Sequence, residues 1–257
     1  MDGSPVNLRV LFSLYHGVRH FSTHFPKEGP DLTYPNITPA RFLSRPNRFV
    51  AQVTVDGQPI TVHVKNTGRC KELLIPGAEV WLVKSDNPAR KTAYDLIAVK
   101  KGARMVNMDS QAPNKVFYEW AMAGHFVPGL TLLKGEQKHG DSRFDFYWEA
   151  GDRKGFVEVK GVTLEVDGGA FFPDAPTERG VKHLNGLTAC LEEGYEAAAC
   201  FVIQMADIDF FSPNDVTHPA FGQALREASG AGVQILALEC DVTPDTLAIT
   251  RPVSVKL

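Results

Sequence analysis

Gly155-Phe-Val-Glu-Val-Lys-Gly-Val-Thr-Leu164 (GFVEVKGVTL) is a β-branched run that carries a carboxylate and an ammonium two residues apart. Residues i and i+2 of a strand share a face, so Glu158 and Lys160 point one way and Val157 and Val159 the other. The pair is either a surface ion pair or part of a reaction centre. The sequence on its N-terminal side bears on the choice.

A second strand is expected over Ser142–Trp148, with Arg143, Asp145 and Tyr147 on one face and Phe144, Phe146 and Trp148 on the other. Glu149-Ala-Gly-Asp-Arg-Lys154 between the two strands is polar and rich in turn formers. A hairpin symmetric about Gly151 and Asp152 sets Asp145 opposite Glu158, with Cβ atoms roughly 4.5–5.5 Å apart. Like charges at that spacing destabilise a sheet unless a proton is shared or a cation lies between them. Two carboxylates with room for water suit Mg²⁺ or Mn²⁺, and Lys160 on the same face could stabilise developing charge or orient an attacking water. The plainer alternative is a solvated strand face on which Asp145 pairs with Arg143 or Lys160. Spacing alone leaves both open.

The 257-residue chain carries a formal charge of −3, with 44% hydrophobic and 22% charged residues, as expected of one large or two modest soluble domains. Its charge is unevenly spread: residues 41–110 hold 12 Lys/Arg against 6 Asp/Glu, and residues 111–257 hold 12 against 21. A basic module followed by an acidic one fits a protein in which one part grips phosphates and the other gathers carboxylates around cations. No apolar run reaches the roughly 18 residues of a membrane span, and no cleavage pattern follows Val10–Tyr15. A cytoplasmic location without membrane contact is expected. The four cysteines, Cys70, Cys190, Cys200 and Cys240, form no C-x-x-C pair and read as buried free thiols. His16, His20 and His24 have helical spacing but little to support a metal role.

Residues 1–38 read as an irregular or mobile extension. Residues 39–110 show short β segments (Phe49–Val55, Pro59–Val64, Ala78–Val83, Thr92–Val99) divided by turns, the texture of a small antiparallel barrel. From 111 to 257 helices and strands interleave. Asn114 is expected to cap a helix running to a Gly124 stop, further helices to cover about Glu178–Glu193 and Pro219–Ser229, and strands to run near Leu132–Gln137, Ala197–Met205 and Val233–Leu238. The fold class is therefore α/β, a barrel followed by a mixed sheet flanked by helices.

Ser142-Arg-Phe-Asp145 followed by Val157-Glu-Val-Lys160 resembles the PD-(D/E)xK nuclease core. Together with Arg48-Phe49, Asn66-Thr-Gly68, Asn87–Lys91, Gly140–Asp145, Glu158–Leu164, Phe172–Gly180 and Lys182-His183, the sequence is similar to the sugar fermentation stimulation protein A (SfsA) family from about Thr33 to Leu238. The resemblance implies an OB-like barrel and a restriction-endonuclease-like α/β domain that hydrolyses DNA or RNA with Mg²⁺ or Mn²⁺. It also leaves open a non-catalytic DNA-binding regulator of sugar metabolism genes. Under the resemblance Asp145, Glu158 and the Val159 carbonyl are metal ligands and Lys160 is the catalytic lysine. A further acid is expected from Glu119 on the first helix or, less favoured, Glu136; Asp174 could cap a helix or bind metal.

DNA or RNA is the expected partner, and a homodimer remains open. Thr177, Arg179, Lys182 and His183 begin a helix, with Arg179, Lys182 and His183 at i, i+3 and i+4 spacing suited to phosphate. Intramolecular pairing is the alternative. In the barrel, Asn66, Thr67 and Arg69 around Gly68 read either as a phosphate loop or as a self-capping turn. Arg48, Arg90, Lys91 and Arg143 are candidate phosphate contacts, and Phe49 either stacks on a base or packs in a core.

Overall fold

The protein was analysed as a computed structural model that describes residues 32–257. The histidine series 16/20/24 lies outside the described residues. In chain order the elements are β1 (Leu32–Thr33), β2 (Ile37–Asn47), β3 (Val50–Val55), β4 (Gln58–Val64), β5 (Glu79–Lys84), β6 (Tyr94–Lys101) and β7 (Arg104–Asn107), then α1 (Ala112–Trp120). They continue with β8 (Leu132–His139), β9 (Ser142–Ala150), β10 (Arg153–Val162), β11 (Leu164–Val166), β12 (Gly169–Phe172), α2 (Glu178–Glu192), β13 (Glu196–Ile203) and β14 (Phe210–Pro213). The last are α3 (Pro219–Ala231), β15 (Gln234–Val242), β16 (Thr246–Pro252) and β17 (Ser254–Val255).

The first sheet runs β4-β3-β2-β5-β6-β7, and β4 also pairs with β6 in parallel through His63↔Asp95 and Val64↔Leu96, which closes five strands into an OB-like barrel. Alternation drives the closure: Ala51 and Val53, Val62 and Val64, and Val80 and Leu82 all turn inward and are buried. Two of its strands are not expected from sequence. Pro39 and Pro46 hide β2 from a reading that demotes strands at proline, although β2 spans 11 residues and bends through irregular register with β3. Short β7 returns from the Gly102 turn.

The second module is a seven-stranded sheet ordered β1-β16-β15-β13-β10-β9-β8, with β10, β13 and β15 parallel. Its β10 and β13 segments are buried on both faces, so they read as nearly continuous apolar runs. Phe117, Trp120, Phe146, Trp148, Val157 and Val159 fill the α1 side, whereas Phe144, Phe156, Leu184, Leu187 and Phe201 fill the α2 side. Helix α3 packs on α2, and β11-β12-β14-β17 form a small accessory sheet. Residues 32–38, assigned to the extension on sequence grounds, instead form β1, which pairs with β16, and the opening of β2.

Two expectations near the centre require correction and one is refined. Asn114 does not cap α1: Gln111 holds that place and Pro113 lies in the first turn, so Asn114 is inside the helix with its amide free for other partners. The helical backbone does break at Gly124, which takes a left-handed φ of 90°, but α1 reaches it through a π-helical turn, Ala121–His125. Finally, Phe144 does not share a face with Phe146 and Trp148. The β8–β9 ladder skips Glu136, whose φ is 52°, and β9 rotates there, sending Phe144 toward Phe156 and His183 and Phe146 toward Phe117.

Candidate active site

The β9–β10 hairpin has the register anticipated from its turn, with Ala150↔Arg153 through Phe146↔Val157 in alignment. Pairing stops there. One residue on, the Asp145 carboxylate substitutes for a ladder carbonyl: its Oδ2 accepts the Val159 N–H at 2.8 Å, and its Oδ1 accepts Asn114 Nδ2 of α1 at 2.9 Å. The N–H and C=O of one strand residue point to the same side, so the Val159 carbonyl faces the same opening between β9 and β10. Asp145 and Glu158 are therefore neighbours across the end of a diverging ladder rather than a cross-strand pair within it.

Glu158 is 3% exposed. Its Oε1 takes short hydrogen bonds from Lys160 Nζ on the same strand face and from His183 Nδ1 of α2. Arg179 Nε donates to His183 Nε2 at 3.2 Å, which leaves Nδ1 to carry the proton toward Glu158. Glu158 Oε2 is buried and has no hydrogen-bond partner. An orphaned carboxylate oxygen beside a second, half-buried carboxylate is an energetic fault unless something positive occupies the space.

The electrostatics of the two acids diverge. Burial, and then the Glu158 charge, raise the Asp145 pKa against the opposing effects of Lys160, the Val159 N–H and Asn114. Burial acts on Glu158 in the same direction, but the His183 hydrogen bond and the Lys160 charge outweigh it and hold Glu158 below the usual glutamate value. A divalent cation would relieve the repulsion at Asp145 and satisfy Oε2; two carboxylates and one carbonyl are the oxygen donors that Mg²⁺ or Mn²⁺ accept while retaining water. Among the described residues no group of three or more His, Cys, Asp or Glu is gathered for a metal.

The two residues proposed as a third acid are placed differently. Glu136 lies opposite Asp145 where the β8–β9 ladder is interrupted, but its exposed side chain faces Arg143 at 3.4 Å. On α1, Asn114 is the residue that reaches Asp145; Glu119 is five positions later, about 140° around the helix. The sequence carried a signal for Asn114 that was misread: Pro113 belongs in a first turn, so the following residue is already helical.

The barrel meets this site through the Lys65–Cys70 loop. Lys65 Nζ bonds the buried Asp109 at 2.8 Å just before α1, and the Cys70 N–H bonds Asp174 Oδ2 at 2.8 Å just before α2. The loop thus spans the entries of the two helices that supply Asn114 and His183. Asn66 Oδ1 accepts the Gly68 N–H at 2.8 Å, and a Cβ on Gly68 would come within 2.9 Å of both Asn66 Oδ1 and Asp174 Oδ2. Any larger residue would have to displace one of those side-chain oxygens. Asp174 therefore joins the two modules as a hydrogen-bond acceptor.

Arg45, which no sequence pattern singled out, fixes the same region. Its guanidinium donates to the carbonyls of Arg48, Asn66, Gly68 and Arg69 at 2.6–2.9 Å. Arg48, Phe49, Thr67 and Arg69 are exposed around it. Thr67 and Arg69 thus remain available while Asn66 is spent on its own turn. Lys91, Arg143, Arg179 and Lys182 are exposed as well, but Arg90 is committed to Asp95 through bonds of 3.0 and 2.6 Å. Thr177 caps α2, its Oγ1 accepting the Gly180 N–H at 3.1 Å.

An OB-like barrel docked on a mixed α/β sheet, with one buried and one half-buried carboxylate and a lysine where two strands diverge, defines a two-module protein with a polar centre at the sheet. Family comparison gives the same division: the SfsA N-terminal OB domain matches residues 43–108, and the sugar fermentation stimulation protein RE domain matches residues 111–246. The chain belongs to the SfsA family. It is 59% identical to a sugar fermentation stimulation protein homolog of Desulfitobacterium hafniense (strain Y51) over 88% of this chain and 99% of the relative. It is 54% identical to a homolog of Ruminiclostridium cellulolyticum over 88% and 100% of the two chains. The structure of Pyrococcus furiosus SfsA in complex with Ca²⁺ is similar at a TM-score of 0.81 and 27% identity, covering 89% of this chain and all of that one. No helix among the described residues is long and apolar enough to cross a membrane.

Proposed function

We propose that the protein is a cytoplasmic, Mg²⁺- or Mn²⁺-dependent nuclease that hydrolyses phosphodiester bonds of DNA or RNA, with the barrel gripping the nucleic acid. The observation that carries this reading is the partnerless, buried Glu158 Oε2 beside Asp145. Asp145, Glu158 and the Val159 carbonyl would hold the cation, which when bound supplies charge neutralisation at the scissile phosphate and a more acidic water. Lys160 is anchored on Glu158 and half-buried, positioned to offset negative charge as the phosphate is attacked. His183 holds Glu158 through Oε1 and leaves Oε2 as the oxygen that would be available to a cation. The Ca²⁺ complex of Pyrococcus furiosus SfsA lends support, since Ca²⁺ is likewise a hard, oxygen-seeking dication.

The test is cleavage of single- and double-stranded DNA and RNA with Mg²⁺, with Mn²⁺ or with EDTA. Metal-dependent cleavage that falls at least about 100-fold in Lys160→Ala is expected, the scale of losing one transition-state donor. Undiminished cleavage in EDTA or in that variant would overturn the reading. A second reading, a DNA-binding regulator with a nuclease-like scaffold, is favoured by the lack of a three-residue ligand cluster among the described residues. It predicts salt-sensitive, metal-independent binding with a sequence preference and no cleavage.

A further inference from the structure

We infer that Phe49 is a stacking platform for an unpaired nucleobase, so that the barrel selects single-stranded nucleic acid and leads it toward Asp145 and Glu158. The inference rests on the nucleic-acid reading of the barrel and deepens it to a substrate form. Among the aromatic side chains in or beside the barrel strands, Phe42 is 2% exposed, Trp81 and Tyr94 are half-buried, and Phe49 is 53% exposed. Phe49 is thus the ring among these that leaves a face open to a flat partner.

The backbone that carries the ring is fixed. Asn47 Oδ1 accepts the N–H groups of both Phe49 and Val50, at 2.9 and 3.2 Å, and the Phe49 carbonyl accepts the Val64 N–H at 2.8 Å. Little backbone ordering entropy remains to be lost when a flat partner lands on the ring. Exposed cations flank it: Arg48 precedes it, and the Arg45 guanidinium ties the Arg48 carbonyl to the loop bearing Arg69. A planar apolar face with cations on its rim matches the alternation of base and phosphate along a single strand. A paired base would offer no free face to it.

The same loop gives direction. Its two ends are fastened to Asp109 and Asp174, ahead of the helices that reach Asp145 and Glu158, so a strand stacked on Phe49 and held at Arg69 runs onto the entrance of the carboxylate centre. Fluorescence anisotropy with a labelled oligothymidylate and with a blunt duplex, both in EDTA, tests this. Phe49→Ala and Phe49→Leu should each weaken single-strand binding roughly tenfold and leave duplex binding unchanged, because stacking on one base is lost while the cations remain. Phe49→Trp should retain binding and show fluorescence quenched by the oligonucleotide. Equal single-strand affinity in wild type and both variants, or an equal loss for the duplex, would overturn the platform. Since no divalent cation is present, the outcome is independent of catalysis: a Phe49-dependent affinity in a protein that cleaves nothing upholds the platform while sinking the nuclease, and cleavage with unaltered Phe49→Ala affinity does the reverse.

Discussion

At the scale of single residues, the centre is built at a cost in stability. The half-buried Asp145 and the buried Glu158 repel, and Glu158 leaves an acceptor unused, so the centre is a site of stored electrostatic cost. Asp145→Asn removes one charge; its side-chain oxygen can still accept the Val159 N–H, and Asn114 can turn its amide over to accept from the new one. The variant should melt a few degrees above wild type while cleavage falls at least about 100-fold, read by calorimetry and by a nuclease assay. His183→Phe acts the other way. It strips Glu158 of a donor inside the α2-side core, and urea unfolding should show a loss of about 1–3 kcal/mol.

At the scale of elements, what was legible in the sequence was whatever depended on alternation and turn chemistry. The β9–β10 register followed from its Gly151-Asp152 turn, and the α2 face bearing Arg179 and His183 followed from helical spacing. The β9 rotation was not legible, because the positive φ at Glu136 belongs to the neighbouring strand and residue type does not announce it. Nor was Arg45: four backbone carbonyls converge on it only after the barrel closes. The Gly68–Asp174 contact leads to a prediction at this scale. Gly68→Ala should push Asp174 off the Cys70 N–H, and Asp174→Ala should remove the acceptor outright; each should cost about 1–3 kcal/mol in denaturant unfolding and weaken nucleic-acid binding by loosening the loop. Preserved affinity in both would show that the loop needs no anchor.

At the scale of the whole molecule, the two modules share one core and a buried polar seam. Lys101 Nζ and Arg104 of the barrel's last strands meet Glu165 of β11 at 2.6 and 3.0 Å, and Gln204 donates to Asn107 at 2.8 Å. The charge asymmetry of the chain anticipated two modules but not this fastening, which brings together residues 60 or more positions apart. Burial alone would raise the Glu165 pKa, but the hydrogen bonds from Lys101 and the Gly168 N–H and the charges of Lys101 and Arg104 together outweigh it, and the value lies below that of a free glutamate. A carboxylate depressed in the folded state stabilises fully above its unfolded pKa of about 4.3, and the contribution is lost as pH falls through the folded value. Wild type should therefore unfold in one cooperative transition at neutral pH and lose inter-module stability as the medium is acidified below about pH 4.3. Glu165→Gln should be the less stable protein at neutral pH, with the difference closing in acid, as seen in melting temperatures across a pH series.

The central proposal is one cation held between Asp145, Glu158 and the Val159 carbonyl, and anomalous scattering from a manganese-soaked crystal tests it directly. The account predicts a peak about 2.1 Å from Asp145 and Glu158 oxygens, with Glu158 Oε2 as a ligand, and its loss in Asp145→Asn. A crystal with no peak there, or with manganese bound elsewhere while metal-dependent cleavage persists, would contradict it.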